Sequence, residues 1–319
     1  MKFSCFLKKV RKDLSLSQQQ VVDILVASHS QLYNLNITTY NRWEKDHSTP
    51  STIKIYLIVK ILKLDLIETY RTLDLKSSKS KLKSFTDLVN YLDNNQNRFR
   101  LLSSALPNFE KFKTFDKDNY SDSLELLAKF KGSVNNFISQ SSTEVNSRDL
   151  EDFKEMQKSG TMVVAACKDY DTNTYSAHGA WIYINTSYEK DFLSKFKKQS
   201  LRMRNFNIVD KEQDTFIFII PPSLHSSTWN HYFTSELIKE TLKNPPQKLY
   251  TICLSSDALR LYFSLGFKTE LSISNQMKIN SNINDANSFG TTYLLSIDYK
   301  EFISHPGIIK FIKESELFS

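Results

Sequence analysis

Thr215-Phe216-Ile217-Phe218-Ile219-Ile220-Pro221-Pro222 is the stretch on which the fold turns. Its apolar, β-branched and aromatic run ends on two prolines, which cannot donate to a ladder, so it reads as a strand buried on both faces that stops at Pro221. Such a strand needs a covering layer on each side, and the flanking sequence supplies candidates. Downstream, Asn230 to Leu242 carries Phe233, Leu237 and Thr241 at helical spacing, and Pro245-Pro246 ends the helix. Leu249-Tyr250-Thr251-Ile252-Cys253-Leu254 reads as a second strand. Ser256 can cap a helix running to Ser264, and Gly266 suits a left-handed stop. Upstream, Thr161 to Cys167 and Gly179 to Ile184 are short apolar runs bounded by turn residues, followed by a charged helix from about Glu189 to Lys198. A last strand, Thr292 to Ile297, precedes a C-terminal helix near Ile308 to Ile312.

Two segments of this half carry a resemblance. Ile220-Pro221-Pro222-Ser223-Leu224-His225-Ser226-Ser227-Thr228-Trp229-Asn230 stands at the strand-to-helix turn, and Ser255-Ser256-Asp257-Ala258-Leu259-Arg260-Leu261-Tyr262-Phe263-Ser264-Leu265-Gly266-Phe267 follows the next strand. In element order and spacing, roughly residues 150 to 305 resemble the GNAT acetyltransferase superfamily. The resemblance implies that His225, Ser226, Ser227, Thr228, Trp229 and Asn230 would bind the pyrophosphate of acetyl-CoA at a helix N-terminus. It makes Tyr262 the catalytic candidate, the tyrosine that protonates the coenzyme A thiolate. The turn keeps its proline but none of the family's glycines, which let the backbone approach a phosphate closely. The expectation is therefore a degenerate domain used for sensing or association, not an enzyme, with no cofactor. His225, His231 and Tyr262 are a conceivable acid/base set, with His178 and Trp181 lining the same cleft.

The N-terminal region reads differently. Ser17 with Gln20 three residues on is a capping box opening a helix through Leu25, and Thr49-Pro50-Ser51 restarts the chain into a further helix carrying Ile53, Leu57, Ile61 and Leu64. Phe3, Phe6, Leu7 and Val10 form a first amphipathic helix, and Val21, Val22, Leu25, Tyr40 and Trp43 complete the core of a compact five-helix domain. The segment Asn36-Ile37-Thr38-Thr39-Tyr40-Asn41-Arg42-Trp43-Glu44-Lys45 between them resembles the recognition helix of phage-repressor-like (XRE family) helix-turn-helix proteins. The resemblance covers about the first 70 residues, with about eight extra residues between Leu25 and Asn36. It implies double-stranded DNA as partner: Gln18 on a phosphate or adenine edge, Asn36, Ile37, Thr38, Thr39, Asn41 and Arg42 in the major groove, Lys45 and Lys54 on phosphates.

Charge distribution points the same way. Residues 1–84 carry 15 Lys+Arg against 7 Asp+Glu, while the other 27 Lys+Arg and 28 Asp+Glu nearly cancel. Clustered cations favour a polyanion partner. The three cysteines, Cys5, Cys167 and Cys253, are far apart and match neither a metal spacing nor a redox pair, so no metal site is expected. With no signal-peptide pattern and no apolar run of about 18 residues, no membrane partner is expected and the assigned location is cytoplasmic.

The fold class that follows is multidomain. An all-α helix-turn-helix domain spans residues 1–75, a Ser/Lys-rich linker and helical connector residues 76–148, and an α/β GNAT-like domain residues 149–319. The expected function is a sequence-specific DNA-binding transcriptional regulator, a homodimer with room for a small-molecule or protein effector. The alternative is an active acetyl-CoA-dependent N-acetyltransferase carrying a DNA-targeting or autoregulatory helix-turn-helix.

Overall fold

The computed structural model describes residues 1–75, 110–121, 123–128, 147–169, 174–201, 214–220, 227–253, 256–273 and 291–318. The chain divides into two compact units, Met1–Thr86 with Lys300–Ser319, and Asp87–Tyr299. The linker expected at residues 76–84 and most of the helical pattern of residues 85–146 lie outside the described residues.

The first unit opens with five helices: α1 (Phe3–Asp13), α2 (Gln18–Ser28), α3 (Ile37–Glu44), α4 (Thr52–Ile61) and α5 (Leu66–Thr72). Each start after the first is fixed by a side-chain oxygen that satisfies an orphan helix donor. Ser17 forms a full capping box with Gln20, and Asn36, Ser51 and Asp65 accept from the amides of Thr39, Lys54 and Glu68. Leu7, Val21, Leu25, Tyr40 and Ile58 are wholly buried in the shared core. The extra residues before Asn36 extend α2 to Ser28 and then make a 3-10 turn, Ser30–Leu32, which His29 caps by accepting from Gln31 N at 3.1 Å. Leu32 and Leu35 anchor that turn in the core.

The second unit is built on one seven-stranded sheet. Its strands are β1 (Glu110–Phe115), β2 (Met162–Asp169), β3 (Tyr175–Asn185), β4 (Thr215–Ile220), β5 (Lys248–Cys253), β6 (Lys268–Ile273) and β7 (Thr292–Asp298). The order is β1-β2-β3-β4-β5-β7-β6, antiparallel throughout except for the parallel β4–β5 pair. A parallel neighbour requires a crossover, and α8 (Ser227–Lys243) provides it. Further helices among the described residues of this unit include α6 (Ser147–Lys158), α7 (Glu189–Lys197) and α9 (Ser256–Ser264). The result is a mixed seven-stranded α/β sheet with a helix after each strand of its parallel pair.

Side-chain alternation assigns the faces. Ala180, Ile182, Phe216, Phe218, Ile220, Tyr250 and Ile252 share one core with Phe153 and Met156 of α6 and Phe192 and Phe196 of α7. On the other face, register aligns Trp181, Ile219 and Thr251 in one row across β3, β4 and β5. The Phe233 ring of α8 packs edge-on to Trp181 at 5.4 Å. Five of the six residues of β4 are buried, as its doubly covered position demands. The edge strand β6 is largely exposed.

The chain then runs through α10 (Tyr299–Ile303) into α11 (Pro306–Glu314). Within the first unit, α11 packs on α5, the Arg71 guanidinium donates to the Phe318 carbonyl at 2.8 Å, and the Lys313 ammonium donates to the Leu73 carbonyl. Two expected boundaries are thus corrected. The sheet begins at β1, inside the segment assigned to a helical connector, because residues 110–115 pair with β2 in continuous antiparallel register. The last twenty residues belong with the N-terminal helices instead of the domain assigned to 149–319, because Ile308, Ile309 and Ile312 form an apolar stripe that the helical unit buries.

Candidate active site

The parallel pair does not stay paired to its end. The last rung between β4 and β5 is Ile219↔Thr251. Beyond it β4 stays with β3 through Ala180↔Ile220, and β5 stays with β7 through Ile252↔Leu294 and Cys253↔Tyr293. Each strand follows its outer neighbour, so the sheet parts between the two C-terminal ends. In open α/β sheets the C-terminal ends of parallel strands are where ligands enter.

Tyr262 stands at this opening. The helix α9 that carries it starts three residues after β5 ends and stops in a Schellman turn, Phe267 N donating to the Tyr262 carbonyl at 3.0 Å, with Gly266 at φ +95°. Phe267 packs edge-on to the Tyr262 ring at 5.1 Å. Tyr262 as a residue is half-buried, but its hydroxyl end is enclosed beside Thr251 and Cys253. Burial, aided by Cys253 and partly offset by the Thr251 hydroxyl, pushes the phenol up to about 12. It holds its proton across the neutral range. Thr251 is fully buried, and its Oγ1 completes no hydrogen bond of regular geometry.

Three more buried polar atoms on this face lack hydrogen-bond partners: Trp181 Nε1 in the same row as Thr251, and Asn230 Oδ1 and Ser235 Oγ on α8.

Of the residues expected to cradle a pyrophosphate, His225 and Ser226 lie outside the described residues, and Ser227 and Thr228 open α8. Trp229 is not a ligand contact: it is fully buried against Phe112, Tyr232 and Phe233. Asn230 is in the first turn of α8 with its unpaired oxygen. The grouping of His178 with Trp181 is corrected, since three positions apart on a continuous strand they face opposite sides of the sheet. His231 is exposed on α8. Thr251 and Cys253 went unnoticed as site residues. Their i, i+2 spacing put them on one strand face, but only the register shows that this face meets Tyr262.

In the helical unit, Ile37, Thr38, Arg42, Lys45 and Lys54 are exposed, and Thr39 and Asn41 half-buried, while Tyr40 and Trp43 are core. Asn36 is occupied as the N-cap of α3. Gln18 is occupied too, donating from Nε2 to Glu44 Oε2 at 2.7 Å, while Arg11 Nε donates to Glu44 Oε1 at 2.6 Å. Among the described residues no set of three or more metal-ligating side chains converges, and no helix is long and apolar enough to cross a membrane.

No protein-family model and no curated protein matches the chain. Among solved structures, the chain is similar to Arabidopsis thaliana NAA60 in complex with acetyl-CoA, at 12% identity, covering 60% of this chain and 98% of that one, with a TM-score of 0.35. It is similar to the arylalkylamine N-acetyltransferase 2 of Aedes aegypti at 15% identity, 60% and 100% coverage and a TM-score of 0.38. The polyamine N-acetyltransferase of Drosophila melanogaster gives 10% identity, 60% and 100% coverage and a TM-score of 0.37. These neighbours are acetyltransferases or hold acetyl-CoA, and nothing found points to DNA-binding regulation. The expectations of a transcriptional regulator, of a domain without enzymatic activity and of no cofactor are corrected accordingly. The expectation of a domain without enzymatic activity rested on the missing glycines of one turn, and that of a regulator on the N-terminal helices. The assignment to XRE-type proteins and the idea of degeneracy find no support in these comparisons either.

Proposed function

We propose that the chain is an acetyl-CoA-dependent N-acetyltransferase with a helical unit appended. The observation that carries this reading is the separation of β4 from β5 after Ile219↔Thr251, with the protonated Tyr262 phenol at its edge. The chain's own groups suit the cofactor: Asn230 Oδ1 is a buried acceptor for an amide-bearing arm, and the first turn of α8 would present helix amide donors to phosphate. When bound, acetyl-CoA supplies an acyl group activated as a thioester. Tyr262 keeps its proton at neutral pH, so it would be the residue to donate a proton to a leaving thiolate, a general acid held by burial.

Calorimetry with acetyl-CoA tests the binding half, and release of coenzyme A thiol in the presence of a panel of primary amines tests the transfer half. Micromolar binding with amine-dependent thiol release supports the proposal. Absence of binding by the intact chain removes it.

A further inference from the structure

The connection between α2 and α3 is capped by an imidazole. His29 leaves α2 in an extended conformation, φ −155° and ψ 131°, and its Nδ1 accepts from Gln31 N at 3.1 Å at the head of the Ser30–Leu32 turn. Leu32 N and Tyr33 N close the turn by donating to the His29 and Ser30 carbonyls at 2.9 and 3.1 Å. Leu32 is thereby seated in the core, while Tyr33 beside it is exposed. An imidazole accepts only through an unprotonated nitrogen, and the imidazolium is a donor at both. A proton on Nδ1 would therefore set two donors face to face where the cap now stands. The charged groups that act on His29 oppose that proton as well, since both are ammoniums: Lys300 of α10 and Lys60 of α4. Half-burial first, then these two cations, hold the imidazole below its ordinary value. The start of α3 does not depend on His29, because Asn36 caps it separately.

We propose that His29 is an acid-sensitive latch on the α2–α3 connection. Neutral, it keeps the turn closed with Leu32 in the core. On taking a proton at Nδ1 it gives up the Gln31 amide, and Ser30 to Leu35 open as a segment between α2 and the separately capped α3. Leu32 and Leu35 then join Tyr33 and Ile37, which are exposed already, so acid enlarges the apolar surface of the helical unit. Every group in this device belongs to the helical unit, so it stands apart from the acetyl-CoA reading above. The sign follows from linkage. A folded-state value below the unfolded one means that the closed turn is favoured in full above the ordinary imidazole range, and that this advantage is lost as pH falls through the lowered value. One proton is taken up per opening, so the open fraction can rise by at most about tenfold per pH unit. His305 caps α11 in the same manner, accepting from Gly307 N at 3.1 Å, and a test must separate the two imidazoles.

The test measures amide hydrogen exchange of the full chain between about pH 5 and about pH 7.5, the range in which imidazoles titrate, with each rate referred to an unstructured peptide at the same pH. In wild type the protection of the Gln31 and Leu32 amides should fall by about fivefold toward the acid end, while the core amides of Leu7 in α1 and Ile58 in α4 keep theirs. His29→Asn supplies a carboxamide oxygen that caps without titrating, so there the same two amides should change by less than about twofold. Histidine nitrogen–proton correlation spectra at neutral pH should place the His29 proton on Nε2. Wild-type protection that stays flat overturns the proposal. So does an equal fall in wild type and His29→Asn, which assigns the effect to other groups, His305 included. Loss at Leu7 and Ile58 along with the turn marks general acid unfolding and overturns it too, as does a neutral His29 protonated on Nδ1. Should His29→Asn fold poorly, the tautomer and the wild-type exchange profile decide the matter by themselves.

Discussion

Ile219 and Thr251 are the last residues that β4 and β5 share, and from that rung onward each strand pairs only with its outer neighbour. The relationship matters because it concentrates function at one level of the sheet. Tyr262, Thr251 and Cys253 gather there, whereas the opposite end of β5 is closed by a structural network. In that network Glu189 accepts from the Lys248 ammonium at 2.9 Å and from the Tyr250 phenol at 2.5 Å. Burial by itself would raise the Glu189 carboxyl, but these two donors outweigh it and hold it below the usual range.

Tyr262→Phe removes one hydroxyl and leaves the ring packed on Phe267. Coenzyme A release should fall by about 10²-fold, the order expected for losing a positioned general acid, with acetyl-CoA affinity unchanged by calorimetry. Equal losses in binding and turnover would argue against an acid role.

The Tyr262 phenol should titrate above an ordinary exposed tyrosine, since burial, partly offset by the Thr251 hydroxyl and aided by Cys253, pushes it up to about 12. A folded pKa above the unfolded value of about 10 means its stabilising contribution is complete below pH ~10 and fades as pH rises toward 12. Ultraviolet titration of wild type against Tyr262→Phe should show their difference only at the alkaline end. A difference near neutral pH would contradict this.

Glu44 joins three helices by accepting from Arg11 of α1 and Gln18 of α2 while seated on α3. Only 4% of its side chain is exposed. Burial would raise the carboxyl, but hydrogen bonds from Arg11 and Gln18 win and lower it. Glu44→Ala should therefore destabilise the helical unit by about 2 kcal/mol, since half-buried Arg11 and Gln18 each lose a charged hydrogen-bond partner. A lowered carboxyl contributes stability above its unfolded pKa and loses it as pH falls through the folded value, so wild type should lose this increment on the acid side and Glu44→Ala should not. Denaturation followed by circular dichroism at neutral and acidic pH measures both.

Ile312 of α11 is fully buried. If the C-terminal segment is part of the helical unit, Ile312→Ala should lower that unit's stability by about 3 kcal/mol and raise proteolytic nicking within α1 to α5. Nicking confined to the residues after 304 would show that the N-terminal helices fold without it.

Gly266→Ala tests how the turn after α9 is held. An added Cβ would meet Ile297 Cδ1 at 3.5 Å, an ordinary contact, so the cost comes from φ +95°. A loss of roughly 1–2 kcal/mol is expected, with Tyr262 displaced enough to lower turnover as well. A neutral effect on stability would mean that the turn adapts.

Much of the local structure was legible along the chain. The capping box at Ser17 and Gln20, the run Thr215–Ile220 and the stop at Gly266 all depend on neighbours within a few residues, and each appears where its chemistry puts it. What escaped depends on distant partners. Phe112 and Phe115 sit in a short mixed run that periodicity cannot separate from helix, and only pairing with β2 makes it a strand. Gln18 looked free to meet a ligand, yet Glu44, 26 residues away, occupies it.

By itself the sequence determined the two strand runs that became β4 and β5, the helix between them and the tyrosine on the helix that follows, because apolar runs, proline breaks and caps are local forces. Tertiary structure alone decided that the two strands separate after Ile219 and Thr251, which side of β5 faces Tyr262, and that the final helix closes back on the first five. Those outcomes are set by ladder register and by which apolar stripes find each other across the chain, and no window of neighbouring residues contains them.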